Sequence, residues 1–433
     1  MPQLQGTSAV VIGAGMAGLL TARVLSDHFD RVLVLERDRL PGAPVARGGV
    51  PQGRHAHVLL TAGRRLLDGW FPGLVDELVA EGAGSVDAGA LGWHRLPPDP
   101  AFLALAVSRP VLEGRVRAHL LRQRRTMSIA DETAVDGLIF EGARVAGVRV
   151  AGAARRADLV VACTGRHDRF LAQQAEQGFP IPGVSVVRND SSCWTRVVPR
   201  RPGDLGGAAA VVVAEQAPGR RTGIVVPAGP GEWVVTLGSW HNDLPADEPA
   251  AFENFARSLP APLIAALPAR AEGRAPTLTH RTPTSVRRHV ERLKRPPAGF
   301  LALGDAICSL NPRYGQGMTS AALQARELDR ALARHGPLAP ELVRTFYRAA
   351  GRVVATPWKL AAWADFTDPR ISGDRPAGTD LVNHWLARVS RIARTSAPVA
   401  HRAQRVQHLL DRPETLLTPA MILRVLAARR RRA

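Results

Sequence analysis

Three glycines and one acid have the types and spacing to hold a dinucleotide. In VIGAGMAGLLTARVLSDHFDRVLVLERD, residues 11–38, Gly13, Gly15 and Gly18 lead from a short apolar strand into a helix. Glu36 closes the β-branched run that follows. Gly13 permits the tight turn, and Gly15 lets the backbone approach a pyrophosphate with no Cβ in the way. Gly18 lets helix and strand pack closely, with Met16 and Ala17 carried between the turns. The helix N-terminus offers unpaired N–H groups to an anion. Glu36 is placed to accept hydrogen bonds from a ribose, and Arg37 follows it.

Other residues with chemical potential are fewer. His55 and His57, two apart, would share one face of a strand. No acid or third histidine lies near them in the chain, so no metal is expected and a loop lining the cofactor is the better reading. Arg109 opens a helix just before Pro110, which suits a first turn. From there it reaches either a phosphate or a surface acid, and the residues alone leave both open. Cys163, Cys193 and Cys308 lie far apart without a C-x-x-C pair. They read as buried thiols of a reducing cytoplasm.

The elements that must position these groups follow from periodicity. Strands at 8–13 and 31–35 flank the first helix. Residues 41–53, dense in Pro and Gly, form a loop, and an apolar helix is expected over 58–70. Residues 82–100 wander toward a second lobe. A strand at 101–107 leads into the helix of Arg109, with Leu112, Val116 and Leu120 on one face. Strands at 127–135, 137–140 and 144–150 form a meander, and a buried strand follows at 159–163. Short β-rich runs at 195–199, 208–214, 223–227 and 233–237 predict an antiparallel sheet. Two short helices (250–258, 262–269), a buried parallel strand (299–305) and a long helix (316–334) come next. Beyond 336 the chain is mostly helical, interrupted by a Pro-broken, Trp-bearing section at 357–376.

The fold class is therefore α/β: a Rossmann-type nucleotide domain with a parallel sheet, an inserted antiparallel β-sheet domain, and a helical C-terminal region. The expected boundaries are 1–170 with 280–335, 171–279, and 336–433.

A formal charge of +19 invites nucleic acid as a partner. The excess is almost all Arg, spread along the chain, and the basic pairs lack the interleaved aromatics that stack bases, so no nucleic-acid role is expected. The first residues enter a strand without a charged and apolar leader, and no apolar run of eighteen residues occurs. A soluble, cytoplasmic protein is expected.

A second stretch completes the pattern. GDAICSLNPRYGQGMTSA, residues 304–321, begins about 290 residues after the first. The pairing resembles the FAD-dependent monooxygenases of the p-hydroxybenzoate hydroxylase type. GVPQGRHAHVLL (49–60), SLNPRYGQGMTSA and WADFTDPRI (363–371) look like the flavin epoxidases of polyether antibiotic pathways, bacterial relatives of squalene epoxidase. The resemblance spans most of residues 8–375. It implies FAD held by both stretches: Gly13 to Gly18 with Glu36 and Arg37, then Gly304, Asp305, Pro312, Gly315, Gly317 and Met318. It places Arg109 on the cofactor phosphate, Arg47 in the loop past the cofactor, and the Val135 backbone near adenine. The Asp305 carboxylate suits a ribityl hydroxyl. The helix after Gly317 offers about half a positive charge to the flavin pyrimidine edge.

The implied chemistry sits on the flavin, whose C4a-hydroperoxide gives one oxygen atom to a lipophilic small molecule. No side chain acts as nucleophile. Alkene epoxidation in secondary metabolism is the first expectation. Hydroxylation of an activated aromatic ring is the second, and an isoprenoid-acting flavin reductase or dehydrogenase the third. A nucleotide-binding partner without turnover is the rival from another class. Trp233, Trp240, Trp358, Trp363 and Phe366 are the candidate pocket walls. Aromatic hydroxylases of this type carry Asp-Gly after the middle strand, whereas this chain has Ala162 and Thr164-Gly165. Electrons from NAD(P)H are therefore expected through a separate flavin reductase. Residues 406–426 with the Arg429–Arg432 tail could lie on anionic lipid, but packing on the catalytic lobe is the favoured reading.

Overall fold

The register of five short strands decides where the chemistry gathers. In the computed structural model, which describes residues 7–87, 99–123, 126–214, 221–229, 231–241, 250–268 and 276–427, all five run parallel. Ser8–Ile12 is central, with Arg31–Leu35 and then Met127–Ala130 on one side, Leu159–Ala162 and then Phe300–Ala302 on the other. Ile12 lies opposite both Leu35 and Ala162, Leu35 opposite Ala130, and Ala162 opposite Ala302. The strands end level. Gly13, Glu36 and Gly304, each just past a strand, must emerge at one carboxyl edge. Val10, Val11, Val160, Val161 and Leu301 are all buried, as a parallel layer covered by helices requires. The helices Met16–Leu25 and Gly317–His335 pack against each other in that cover.

Several local expectations differ from what forms. Val58–Leu59 is extended and pairs antiparallel with Ala106 and Leu105, so the helix begins only at Thr61. The apolar run at 58–60 completes a three-stranded sheet before the helical period starts. Met127–Ala130 joins the parallel sheet as an edge, and the meander is built instead from Gly137–Glu141, Arg144–Val150 and Ala153–Arg156.

The antiparallel sheet is organised on one sixteen-residue strand, Val184–Pro199. It pairs with Glu232–Ser239 on one side and Leu278–Arg288 on the other, and carries an irregularity between Arg188 and Ser191. Thr222–Gly229 and Val211–Ala214 extend it outward. The sheet runs past the 171–279 segment, because Leu278–Arg288, Cys308–Ser309 and Ser372–Gly373 also join it. Its two faces serve different neighbours, as alternation along strands dictates. Trp194, Val235 and Leu237 form a core with the helix Ala251–Ser258 and with Ile264. Val234, Val226 and Ile224, on the other face, meet Val58, Ala104 and Ala106 of the nucleotide domain.

The helix Leu342–Asp365 runs unbroken through Pro357. The expected interruption at 357 is absent and the break comes after Asp365. Pro357 removes one backbone hydrogen bond, but Phe346, Ala350 and Val354 are fully buried around the helix and hold it. Residues 406–426 are not one helix. The chain leaves the helix Ala397–Gln407, turns at Leu409 (φ 57°) and resumes helix at Pro419–Ala427. Met421 and Val425 are buried against Val389 and Val399 while Leu423 is exposed. Arg429–Arg432 lie outside the described residues. Among the described residues no helix is long and apolar enough to cross a membrane.

Candidate active site

The first glycine turn closes as its residue types require. A Cβ on Gly18 would stand 1.8 Å from the Gly13 carbonyl oxygen, so any side chain there would push the helix off the strand. At Gly15 a Cβ would meet only side-chain ends: Glu113 Oε1 at 3.6 Å, and Arg109 Nη2 and Arg47 Nη2 at 3.8 Å. The turn therefore faces two guanidinium groups. Glu36 is buried; its Oε2 accepts from the Ala14 N–H at 2.7 Å and lies 3.0 Å from Arg47 Nη1. Arg47 also donates to Asp38 Oδ2 (2.9 Å) and reaches Glu113 Oε1 (3.4 Å). Burial alone would lower the Arg47 pKa, but the Glu113, Glu36 and Asp38 carboxylates more than offset it and raise the pKa. Arg109 Nε donates to Glu113 Oε2 at 2.8 Å. Glu113, which sequence reasoning missed, sits four residues beyond Arg109 on the same helix, the spacing of a helical ion pair. A shallow cleft opens here, lined by Pro41, Arg47, Val50, Arg109 and Arg117.

The second stretch meets the first. Gly304 has φ 72°, and a Cβ on it would lie 2.7 Å from the Ala17 methyl. Asp305 follows; burial raises its carboxyl pKa, opposed by the charges of Arg109 and Arg166. Arg109, which faces the first turn, thus bears on the second through its charge. A Cβ on Gly317 would be 3.9 Å from Asp305 Oδ1. Met16 and Met318 are buried in one core. Gln316 is buried at the start of the helix Gly317–His335, and its Oε1 has no hydrogen-bond partner. That leaves an acceptor held out of water, costly unless a ligand N–H or O–H meets it.

The remaining candidates divide. Arg37 has a side chain 70% exposed and lies outside the cluster. Val135 is buried, and its carbonyl accepts from Arg169. Pro312 begins the turn Pro312–Tyr314 that ends on Gly315. Trp240 carries the Arg313 guanidinium 4.9 Å from its ring, beside that turn. Trp233, seven residues earlier, shares the face of Val235 and Leu237 on the strand Glu232–Ser239, whereas Trp240 lies just past the end of that strand in the core that holds Met318. The Trp233 indole N–H donates to Asp204 Oδ2 (3.0 Å) within the core under the helix Ala251–Ser258, so that ring walls no pocket with Trp240. Trp358 and Phe366 belong to the core that also holds Trp240 and Met318, while Trp363 uses its backbone carbonyl to accept from Asn383.

A buried acid two residues after Trp363 ties these parts together. Asp365, 1% exposed, accepts from Asn189 Nδ2 (3.0 Å), Asn311 Nδ2 (3.1 Å) and the Tyr314 hydroxyl (2.7 Å). Asn189 comes from the sheet, Asn311 and Tyr314 from the second stretch, and Asp365 from the C-terminal helix. Burial pushes its pKa up to about 6 against those three hydrogen bonds. WADFTDPRI carried this residue in plain view, but no local pattern marks an acid whose partners are 51 to 176 residues away.

The 49–60 loop lays two histidines on the sheet. His55 Nδ1 is 2.7 Å from Thr195 Oγ1, which is 2.7 Å from Thr236 Oγ1, which accepts from the Ala56 N–H at 2.9 Å. The His57 Nδ1–H donates to the His55 carbonyl at 2.8 Å. Burial brings the His55 pKa down to about 3 and that of His57 to about 4, so both rings are neutral at pH 7.

With that geometry in place, similarity to other proteins becomes informative. Residues 11–68 match the NAD(P)-binding Rossmann-like domain family. Over 411 residues the chain is 34% identical to Protein Rv3254 of Mycobacterium tuberculosis, covering 86% of this chain and 84% of that one. The chain belongs to the family of Rv3254. A kynurenine 3-monooxygenase of Salinispora arenicola is 28% identical, covering 98% of each chain. Among solved structures, the flavin-dependent brominase Bmp2 superposes with a TM-score of 0.65 at 14% identity, covering 98% of both chains. The 2-methyl-3-hydroxypyridine-5-carboxylic acid oxygenase does so at 0.61 and 15%, covering 84% of this chain and 91% of the other. For this member of the Rv3254 family, the parallel sheet, antiparallel sheet and helices make up the fold of the flavin-dependent monooxygenases.

Proposed function

We propose that this protein is an FAD-dependent monooxygenase that transfers one atom of O2 to a lipophilic small molecule, converting an alkene to an epoxide in secondary metabolism. The observation that carries the reading is the meeting of the two glycine turns, Gly304 against Ala17, with Arg109 and Arg47 facing Gly15. Two turns meeting beside a pair of guanidinium groups suit a ligand with a pyrophosphate at one end and a hydroxyl-bearing chain reaching the other.

The residues present fit FAD. Arg47 and Arg109 offer charge-assisted donors to the pyrophosphate, Glu36 an acceptor to the ribose, and Asp305 an acceptor to the polyol chain. Gln316 Oε1 offers the ring an acceptor, and the helix starting at Gly317 a partial positive charge. Once reduced, the flavin activates O2 for transfer. The protein orients the guest and keeps water away. Trp240, packed under Arg313, is the pocket wall best supported by its position.

Thr164-Gly165 stands where aromatic hydroxylases of the resembling type carry Asp-Gly, and Ala162 where an acid is often found, which supports delivery of electrons from NAD(P)H by a separate flavin reductase. Asp168, not residue 162 or 164, is the acid after the middle strand, and it accepts from the Thr164 hydroxyl and the Leu171 N–H.

The kynurenine 3-monooxygenase relative favours a second reading, hydroxylation of an activated aromatic ring. Both are tested together. FAD-loaded protein is given NADPH with and without a flavin reductase, a polyene or a phenol, and labelled O2. Uptake matched by label in an oxirane supports the first reading, and label in a phenol the second. Bound FAD with no oxygen uptake rejects both.

A further inference from the structure

The hydrogen bonds around His55 favour one proton arrangement, the one that leaves no buried hydroxyl donor unpaired. The Ala56 N–H is a fixed donor to Thr236 Oγ1. If His55 Nδ1 carried a proton, it would donate to Thr195. One of the two threonine hydroxyls would then lack an acceptor, in a place where Thr195 is 0% and Thr236 6% exposed. With Nδ1 unprotonated, Thr236 donates to Thr195 and Thr195 donates to Nδ1, so both hydroxyls are paired and the one donor left over is the ring's Nε2–H. The other ring nitrogen of His55 then bears the proton.

His57 takes the opposite form, since its Nδ1–H must donate to a carbonyl oxygen. The ring of His280 stands 5.5 Å from that of His55, with Nε2 3.2 Å from the Thr282 hydroxyl. Cys193 and Gly238 lie opposite each other and continue the same sheet face from Thr195 and Thr236 toward Trp240. The charged groups bearing on this wall are Arg54, Arg109, Arg166 and Glu113.

We propose that His55, locked as the Nε2–H tautomer by Thr195 and Thr236, is the substrate-recognition donor of this site, and that it takes a lipophilic molecule bearing a neutral acceptor oxygen (a carbonyl, ether or hydroxyl). This rests on the monooxygenase reading and narrows its substrate class. The wall is polar where a pure hydrocarbon would want apolar contact. Its own hydrogen-bonding groups are neutral, and of the cations nearby Arg109 is paired with Glu113 and Arg166 donates to the Thr284 carbonyl, so neither is offered to a carboxylate. The low ring pKa values agree with that neutrality.

The test needs no turnover, so it fails separately from the monooxygenase reading. Histidine ring 15N spectra of the FAD-loaded protein should show His55 protonated at Nε2 and His57 at Nδ1 at pH 7. Thr195→Val should release the His55 tautomer with FAD still bound, and Thr195→Ser should restore it. Geranylacetone should move the His55 Nε2–H resonance and bind roughly five- to tenfold more weakly to Thr195→Val, the size of one neutral hydrogen bond. Geranic acid and the oxygen-free hydrocarbon should leave the resonance in place. An Nδ1–H or doubly protonated His55, or geranylacetone binding unchanged in both Thr195→Val and His55→Phe, overturns the proposal.

Discussion

Gly304 stands against Ala17 so closely that a methyl added to the glycine would lie 2.7 Å from the alanine methyl. The two belong to turns 287 residues apart in the chain, and their contact is what makes one site of two sequence stretches.

Substituting Gly304 with Ala should disturb both turns at once. Overpacking of this kind costs about 1–3 kcal/mol, with a further penalty for φ 72°. Gly178→Ala is the control: φ is 76° there, but nothing lies within 4 Å. Urea melts should show the larger loss for Gly304→Ala, and FAD retention on gel filtration should fall only in that variant.

Arg109→Ala removes a guanidinium that faces the first turn at Gly15. FAD affinity, followed by flavin fluorescence, should drop roughly ten- to a hundredfold, as for loss of a charge-assisted hydrogen bond. Arg37→Ala, at an exposed side chain, should leave it unchanged. Equal effects would place the phosphate elsewhere.

Asp365 predicts a stability loss with rising pH. Its folded pKa, about 6, lies above the ordinary carboxyl value of 3.8, so the native state holds more protons between those limits. The favourable contribution is complete below about 3.8 and disappears as pH rises through about 6. The difference in unfolding free energy between wild type and Asp365→Asn should therefore change between pH 4 and 6 and stay constant above 7.

Buried histidines act in the reverse direction. His408, fully buried, accepts from the Thr61 N–H at Nδ1, and burial brings its pKa down to about 4 from 6.5. With His55 and His57 it contributes stability that is complete above pH 6.5 and is lost as pH falls toward the folded values. His408→Asn keeps an acceptor but cannot titrate there. Its melting temperature should fall less steeply than the wild type's between pH 6.5 and 4.5.

Trp233 and Trp240 should behave differently despite sharing a strand run. Trp233→Phe loses the bond to Asp204 and should lower stability with little effect on substrate affinity. Trp240→Phe should raise KM for the oxygenated substrate with a smaller change in melting temperature.

The nucleotide half was legible because its signals are local. The strand Arg31–Leu35, the acid after it and the helix after Gly317 fall where β-branching and glycine spacing put them. What escaped depends on partners distant in sequence. Val58–Leu59 looks helical until its pairing with Leu105 and Ala106 is known. Trp233 and Trp240 look alike as residue types, and only the packing of the sheet puts them in different cores. Glu113 had a usable signal, its i+4 relation to Arg109, whereas Asp365 had none before Asn189, Asn311 and Tyr314 were seen to converge on it.

The strand Val184–Pro199 has one end paired near Ile307 and the C-terminal Gly373, and the other inside the outer hairpin. A beam anchored in this way resists bending between lobes.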